Sequence, residues 1–85
     1  MIAVRSSADA RVYWQCRRGM RELDLLLQGF FERAYGTADE PVRRAFLDLL
    51  EYPDQLLLEY LMGRMVPIDP ALADVVARIR NAATD

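Results

Sequence analysis

Residues 20–35 read MRELDLLLQGFFERAY, and their apolar side chains recur every three or four positions. This spacing places the apolar residues on one face of a helix that buries one side. The residues of this face are Leu23, Leu26, Leu27, Phe30 and Phe31. Gly29 lies within the stretch, where glycine costs about 1 kcal/mol relative to alanine, and close packing against a neighbour would explain its presence. The pattern predicts a buried helix over about residues 20–35, with Gly36 as its C-terminal cap.

Two further helices are predicted on either side of this stretch. The first covers about residues 7–17, where Val12 and Cys16 are four positions apart and share a face. The other follows residues 37–40, which have the form of a capping box with Thr37 in front. Pro41 stands in its first turn, where a missing N–H group does the least harm. Its apolar face consists of Val42, Ala45, Phe46, Leu49 and Leu50.

The last third of the chain predicts a fourth and a fifth helix. Asp54 follows Pro53 and is predicted to cap the fourth helix, which ends at Gly63. Asp69 stands before Pro70, and this order predicts an N-cap followed by proline at the first helical position. The apolar face of the fifth helix consists of Leu72, Val75, Val76 and Ile79.

These stretches predict an all-α fold, a compact bundle of about five short helices. Isolated helices of about 10–15 residues are marginal in water, so the helices must pack on one another. We expect a single domain over residues 1–85, with a core over about residues 7–81 and frayed ends. The aromatic residues expected to supply much of the buried area are Trp14, Phe30, Phe31, Phe46 and Tyr60.

The composition excludes several kinds of active site. The chain contains no histidine, and all eleven basic residues are arginine, which excludes Ser-His-Asp and Cys-His catalysis, histidine zinc sites and a lysine Schiff base. Cys16 is the single cysteine, so no intramolecular disulfide can form, and we expect its thiol to be buried and structural. Glu22 and Asp24 remain as an acid/base pair, but the sequence predicts no pocket for them.

Charge and hydropathy also limit the partners. The net charge is −2 and the pI is near 5.0, so we expect no nucleic-acid binding. No run of residues approaches the roughly 20 apolar positions that a membrane helix needs. The first residues lack the apolar segment of a signal peptide, and a lone cysteine suits a reducing compartment. We therefore expect a bacterial cytoplasmic protein without membrane insertion.

The segment WQCRRGMRELD, residues 14–24, is unusual because three arginines and two carboxylates surround Gly19. Glycine lacks a Cβ atom, so a partner backbone could approach Gly19 closely, or the residue could adopt a positive φ. Glu22 and Asp24 fall in the first turn of the second helix, where the helix dipole favours negative charge. The residues alone leave two interpretations open: a protein-binding surface, or a turn with helix-start acids and solvated charges.

This segment resembles the SdhE (YgfY-like) family of FAD assembly factors of succinate dehydrogenase, called succinate dehydrogenase assembly factor 2 in mitochondria. The resemblance extends over about residues 11–80, with the sequence RGMRE at its centre. The residues that carry it are Trp14, residues 16–20, residues 22–24, Leu27, residues 30–32, residues 49–51, Asp54 and residues 60–63. The chain departs from the family in two places: Tyr60 stands where tryptophan is usual, and the stretch before the third helix is short.

The resemblance implies a protein that is not an enzyme and that binds the flavoprotein subunit of succinate dehydrogenase. In bacteria it also implies the flavoprotein subunit of fumarate reductase as a partner. Such proteins promote covalent attachment of FAD to a histidine of the partner, so we expect no cofactor bound stably to this chain. By position in the family's RGxxE motif, Arg18, Gly19 and Glu22 would lie at the contact. The neighbouring contact positions would be Arg17, Met20 and Asp24.

Other classes of function stay open beside this one. An antitoxin-like module that regulates a different protein is the main alternative, and the identity of the partner would distinguish it. A helix-turn-helix DNA-binding protein would also have short helices, but the acidic pI and the lack of a basic recognition helix count against it. We expect a monomer without a metal site.

Overall fold

A computed structural model describes residues 7–84, which form five α-helices and one 3₁₀ helix and contain no strand. The predicted all-α fold is therefore confirmed. The elements, in chain order, are α1 (Ser7–Gln15), α2 (Arg21–Arg33), the 3₁₀ helix (Tyr35–Thr37), α3 (Glu40–Leu49), α4 (Asp54–Leu61) and α5 (Pro70–Thr84). The N-terminal residues predicted to fray and the last residue, Asp85, lie outside the described part of the chain. At the C-terminal end, helix α5 continues through Thr84.

The core lies between α2, α3 and α5. Helix α5 packs against α2, α3 and α4, and α2 also contacts α4 and the 3₁₀ helix. The rings of Phe30 and Phe46 meet at its centre, with their centroids 4.9 Å apart, and both side chains are almost fully buried. Four of the five residues on the apolar face predicted for α2 are buried, and the fifth, Leu26, is half-buried. The periodic pattern of residues 20–35 therefore predicts the buried face of this helix correctly.

Trp14 is the clear exception among the predicted core residues. Its side chain is 60% exposed, so the expected burial is wrong. The reason is helical geometry: Val12 and Cys16 are buried, and Trp14 lies two positions from each, about 200° around the helix axis. Trp14 therefore points away from the face that α1 packs on the bundle.

Two predicted helix caps are wrong for α2 and α3. Gly36 lies inside the 3₁₀ helix and has no positive φ, and α2 ends earlier, where the Ala34 N–H donates to the Phe30 carbonyl at 2.9 Å. The Thr37 hydroxyl donates to the Ala34 carbonyl at 3.4 Å. Thr37 therefore belongs to the turn before the helix, and the predicted capping box does not form.

The C-terminal end of α4 and the start of α5 follow the sequence more closely. Gly63 has φ +81° and completes a Schellman motif, in which the Arg64 N–H donates to the Glu59 carbonyl at 2.9 Å. Asp69 caps α5 as predicted, because its carboxylate accepts a hydrogen bond from the Ala71 N–H at 2.8 Å. Asp54 does not cap α4; it is the first residue of the helix, which leaves its carboxylate available elsewhere.

Gly29 is not explained by close packing within the chain. A Cβ atom at this position would meet no atom of the described residues within 4 Å. Alanine is the better helix former by about 1 kcal/mol, so we expect Gly29→Ala to raise the melting temperature by about 4–8 °C, as a stabilisation of that size does in a small domain. Thermal unfolding followed by circular dichroism measures this, and a lowered melting temperature would contradict the open space above Gly29.

None of the helices within residues 7–84 combines the length with the apolar composition that crossing a membrane requires.

Candidate functional site

The segment with the three arginines forms the connection between α1 and α2. We call residues 16–20 the arginine–glycine loop. Helix α1 ends where the Cys16 N–H donates to the Tyr13 carbonyl at 3.0 Å, and the chain bends at Gly19, which has φ +81°. Only glycine adopts this left-handed conformation without strain. Gly19 is exposed, and a Cβ atom there would meet no described atom within 4 Å. The positive φ considered for Gly19 is therefore confirmed.

Asp24 fixes the backbone of this loop. Its Oδ1 atom accepts a hydrogen bond from the Arg18 N–H at 2.6 Å, and its Oδ2 atom accepts one from the Gly19 N–H at 3.3 Å. Met20, the N-cap of α2, makes no side-chain capping hydrogen bond. Asp24 thus holds two loop amides while its negative charge lies near the positive end of the helix dipole.

The guanidinium of Arg18 faces the bundle. Its Nη1 atom donates to Asp54 Oδ1 at 3.2 Å, and its Nη2 atom donates to the carbonyl of Leu50. Leu50 is the C-cap of α3 and Asp54 begins α4, so the cation lies between a helix C-terminus and an acid, both of which attract it. The side chain is 18% exposed. Its Nε atom is buried without a partner among the described residues.

Six of the exposed residues at positions 14–25 are grouped here and called the loop face. Glu22 is exposed and makes no side-chain hydrogen bond or ion pair within the described chain. The Arg17 guanidinium lies 5.5 Å from the centroid of the Trp14 ring, a distance at which a cation is attracted to an aromatic ring. Leu25, one helical turn after Arg21, is 62% exposed. The loop face consists of Trp14, Arg17, Gly19, Arg21, Glu22 and Leu25.

The structure therefore divides the six residues predicted for the site. Arg17, Gly19 and Glu22 are exposed, whereas Arg18, Met20 and Asp24 are partly buried, and Met20 packs against the core. Sequence reasoning missed Leu50 and the ion pair of Asp54, which hold Arg18. The sequence signal for this contact is Asp54 itself, which belongs to the family pattern, although its position after Pro53 predicts a cap.

Cys16 lies at the base of the loop and is fully buried, as predicted. Burial raises the pKa of its thiol from 9.0 to about 12, while the Arg18 charge lowers it and the Asp24 charge raises it. The thiol is therefore neutral in the folded protein across physiological pH, and its burial leaves no accessible thiolate, the form that reacts.

This burial gives a prediction for alkylation. We expect iodoacetamide at pH 8 to leave Cys16 unmodified in the folded protein and to modify it fully in urea, as measured by intact mass. Because burial raises the pKa of this thiol, the folded protein is also expected to lose stability as the pH rises from 9.0 towards 12. Rapid labelling of the folded chain at pH 8 would contradict the buried position.

Among the described residues, no three or more cysteine, aspartate or glutamate side chains lie together in an arrangement that could hold a metal ion.

Comparison with known proteins identifies the family. A family model described as "Flavinator of succinate dehydrogenase" matches residues 10–83. The FAD assembly factor SdhE of Pectobacterium atrosepticum is 40% identical over 76 residues, which cover 89% of this chain and 86% of the relative. The protein of that name from Coxiella burnetii is 32% identical over 77 residues, covering 91% and 94%. That of Yersinia pestis is 42% identical over 72 residues, covering 85% and 82%. The match begins within α1 and ends one residue before the end of α5, and the chain belongs to the family of succinate dehydrogenase flavinators, the FAD assembly factors.

Proposed function

We propose that this chain binds the flavoprotein subunit of succinate dehydrogenase and promotes the covalent attachment of FAD to it. The observation that carries the proposal is the family match over residues 10–83, together with relatives named FAD assembly factor SdhE. The flavoprotein subunit of fumarate reductase is a second client under the same proposal. The chain acts as a monomer and as a binding protein, not as an enzyme.

The loop face is the surface that meets the flavoprotein. Gly19 is exposed with open space above it, so a partner backbone can approach the loop without meeting a side chain. The Glu22 carboxylate has no partner within the described chain, so it is free to accept hydrogen bonds from cationic or amide groups of the flavoprotein. Trp14, stacked with Arg17, adds an exposed aromatic of the kind that contributes strongly to protein interfaces.

The role of the chain is to select a conformation of its partner. Forming the bond between the flavin and a histidine is chemistry of the flavin and of the flavoprotein, and this chain contains no histidine. A binding protein can shift a population only by its difference in affinity for the two states. An increase of about tenfold in the reactive population requires about 1.4 kcal/mol of differential binding, which a few contacts on the loop face can supply.

Reconstitution with purified components tests this function. The flavoprotein subunit without flavin is incubated with FAD, with or without this protein, and covalent flavin is read as fluorescence of the flavoprotein band after denaturing electrophoresis. We expect the band to brighten faster when the protein is present. Equal rates with folded components, at concentrations up to those that saturate binding, would contradict the proposal.

A second measurement addresses the cofactor. Equilibrium dialysis of this protein against FAD, without the flavoprotein, is expected to show no retained flavin. Retention at one FAD per chain would instead make the chain a flavin carrier, a different mechanism from conformational selection.

A further inference from the structure

We infer that Arg18 is a positioning residue, which locks the arginine–glycine loop to the junction of α3 and α4 through Asp54 and Leu50 so that Gly19 and Glu22 are presented in a fixed arrangement. The inference rests on the proposed function and divides its binding motif into residues that hold the loop and residues that meet the flavoprotein.

The hydrogen bonds of Arg18 are the first observation. Nη1 donates to Asp54 Oδ1 at 3.2 Å, Nη2 donates to the Leu50 carbonyl, and the buried Nε atom faces no acceptor. With 18% of the side chain exposed and Nε buried, only one N–H group on each Nη atom remains to meet a partner. A carboxylate of the flavoprotein that formed two parallel hydrogen bonds with Arg18 would therefore compete with Asp54 for the same guanidinium.

The backbone of the loop is held from the opposite side. Asp24 accepts hydrogen bonds from the N–H groups of Arg18 and Gly19. Arg18 is therefore fixed twice, by its amide to α2 and by its guanidinium to the α3–α4 junction, and Gly19 follows it directly in the chain. Glycine can adopt many backbone conformations. The restraints on Arg18 therefore help to keep Gly19 in the conformation with φ +81°.

The position of Asp54 supports a dedicated role for this ion pair. Asp54 is 36 residues from Arg18 in the chain, on a helix that carries no residue of the loop face. Its backbone position does not use the carboxylate as a cap, so the carboxylate is left to bind Arg18. A loop held rigid in its bound conformation loses less entropy on binding than a mobile one. The lock therefore acts on affinity through Gly19 and Glu22.

Asp54→Asn is the variant that separates positioning from direct contact. It removes the charge that holds Arg18 and leaves the loop face itself unchanged. Positioning predicts that Asp54→Asn weakens binding to the flavoprotein subunit by about threefold to tenfold, and that Asp54→Glu restores most of the loss. If Arg18 contacts the flavoprotein directly, freeing it in Asp54→Asn leaves the affinity unchanged or strengthens it, and that result would overturn the inference.

A double-mutant cycle with Arg18→Gln gives the decisive readout. Affinities are measured by titration calorimetry for the wild-type chain, Arg18→Gln, Asp54→Asn and the double variant. Positioning predicts that the double variant binds no more weakly than Arg18→Gln alone, because Asp54 then acts on the affinity only through Arg18. Additive losses would overturn it, since they would assign Arg18 a contribution that does not pass through Asp54.

A matched control and a readout in the free protein complete the test. Asp74→Asn is the control. It removes the charge of an exposed ion pair on α5, in which Arg78 Nε lies 2.7 Å from Asp74 Oδ2, and it is expected to leave the affinity for the flavoprotein unchanged. In the free protein, Asp54→Asn is expected to speed hydrogen exchange of the Gly19 amide while the core amides of α2 stay protected, and unchanged exchange would overturn the lock. Failure of the wild-type chain to bind any flavoprotein would instead contradict the proposed function, so the two failures are distinguishable.

Discussion

Replacement of Gly19 by arginine is expected to abolish the stimulation of covalent flavin attachment while the helical bundle stays folded. The new side chain would extend from the loop face into open space, since no described atom lies within 4 Å of a Cβ at this position. That space is where the flavoprotein is proposed to approach, so bulk and positive charge would block the contact. The cost to the free protein is the strain of φ +81°, about 1–2 kcal/mol for a residue with a Cβ.

This strain is small compared with the roughly 5–15 kcal/mol that stabilises a typical domain. The melting temperature should therefore fall by about 4–8 °C for each kcal/mol, and the circular dichroism spectrum should stay helical. Stimulation is measured in the reconstituted reaction at a temperature well below the transition.

Two variants separate strain from obstruction. Gly19→Ala carries the backbone strain with a single methyl group, and we expect it to keep much of its stimulation. Gly36→Arg adds the same bulk and charge at another exposed glycine, which has no positive φ and no described atom within 4 Å of its Cβ. It should stimulate like the wild-type chain. Full stimulation by Gly19→Arg would show that the flavoprotein does not approach this loop.

The helices could be predicted from the sequence because their burial follows a period of three to four residues. The buried residues Leu23, Leu27 and Phe30 in α2 and Val75 and Ile79 in α5 all fall on predicted faces. Which residue caps each helix was less predictable. Caps depend on which of several polar side chains a turn brings within reach of a free N–H group, and that choice is made by tertiary packing.

The candidate site shows the same division between local and distant determinants. The segment could be located from its composition and from the family resemblance, and a glycine at position 19 is compatible with the positive φ that it adopts. The direction of the Arg18 side chain could not be predicted, because its acceptors, Leu50 and Asp54, are 32 and 36 residues away in the chain. A motif places Arg18, Gly19 and Glu22 together in sequence without saying which of them face the solvent.

Replacement of Glu22 by alanine is expected to remove most of the stimulation without destabilising the protein. The carboxylate is exposed and unpartnered within the described chain, and substitutions at such surface positions usually change stability by no more than about 0.5 kcal/mol. A hydrogen bond between this charged group and the flavoprotein is worth about 1.5–3 kcal/mol. Its loss corresponds to a decrease in affinity of about tenfold to a hundredfold.

Glu32→Ala is the matched control for this substitution. Glu32 is an exposed carboxylate on the same helix but lies ten positions further along, about 15 Å from Glu22 at 1.5 Å per residue. It is therefore remote from the loop face, and its loss should leave both folding and stimulation unchanged.

Covalent flavin on the co-expressed flavoprotein tests the function and the loop face together. The flavoprotein subunit of succinate dehydrogenase is expressed alone, with the wild-type chain, with Glu22→Ala or with Glu32→Ala, and the fluorescence of its band is compared after denaturing electrophoresis. We predict a bright band with the wild-type chain and with Glu32→Ala, and a faint band with Glu22→Ala and with the flavoprotein alone. Bands of equal brightness in all four samples, with every chain folded and expressed, would contradict both the proposed function and the assignment of Glu22 to the contact.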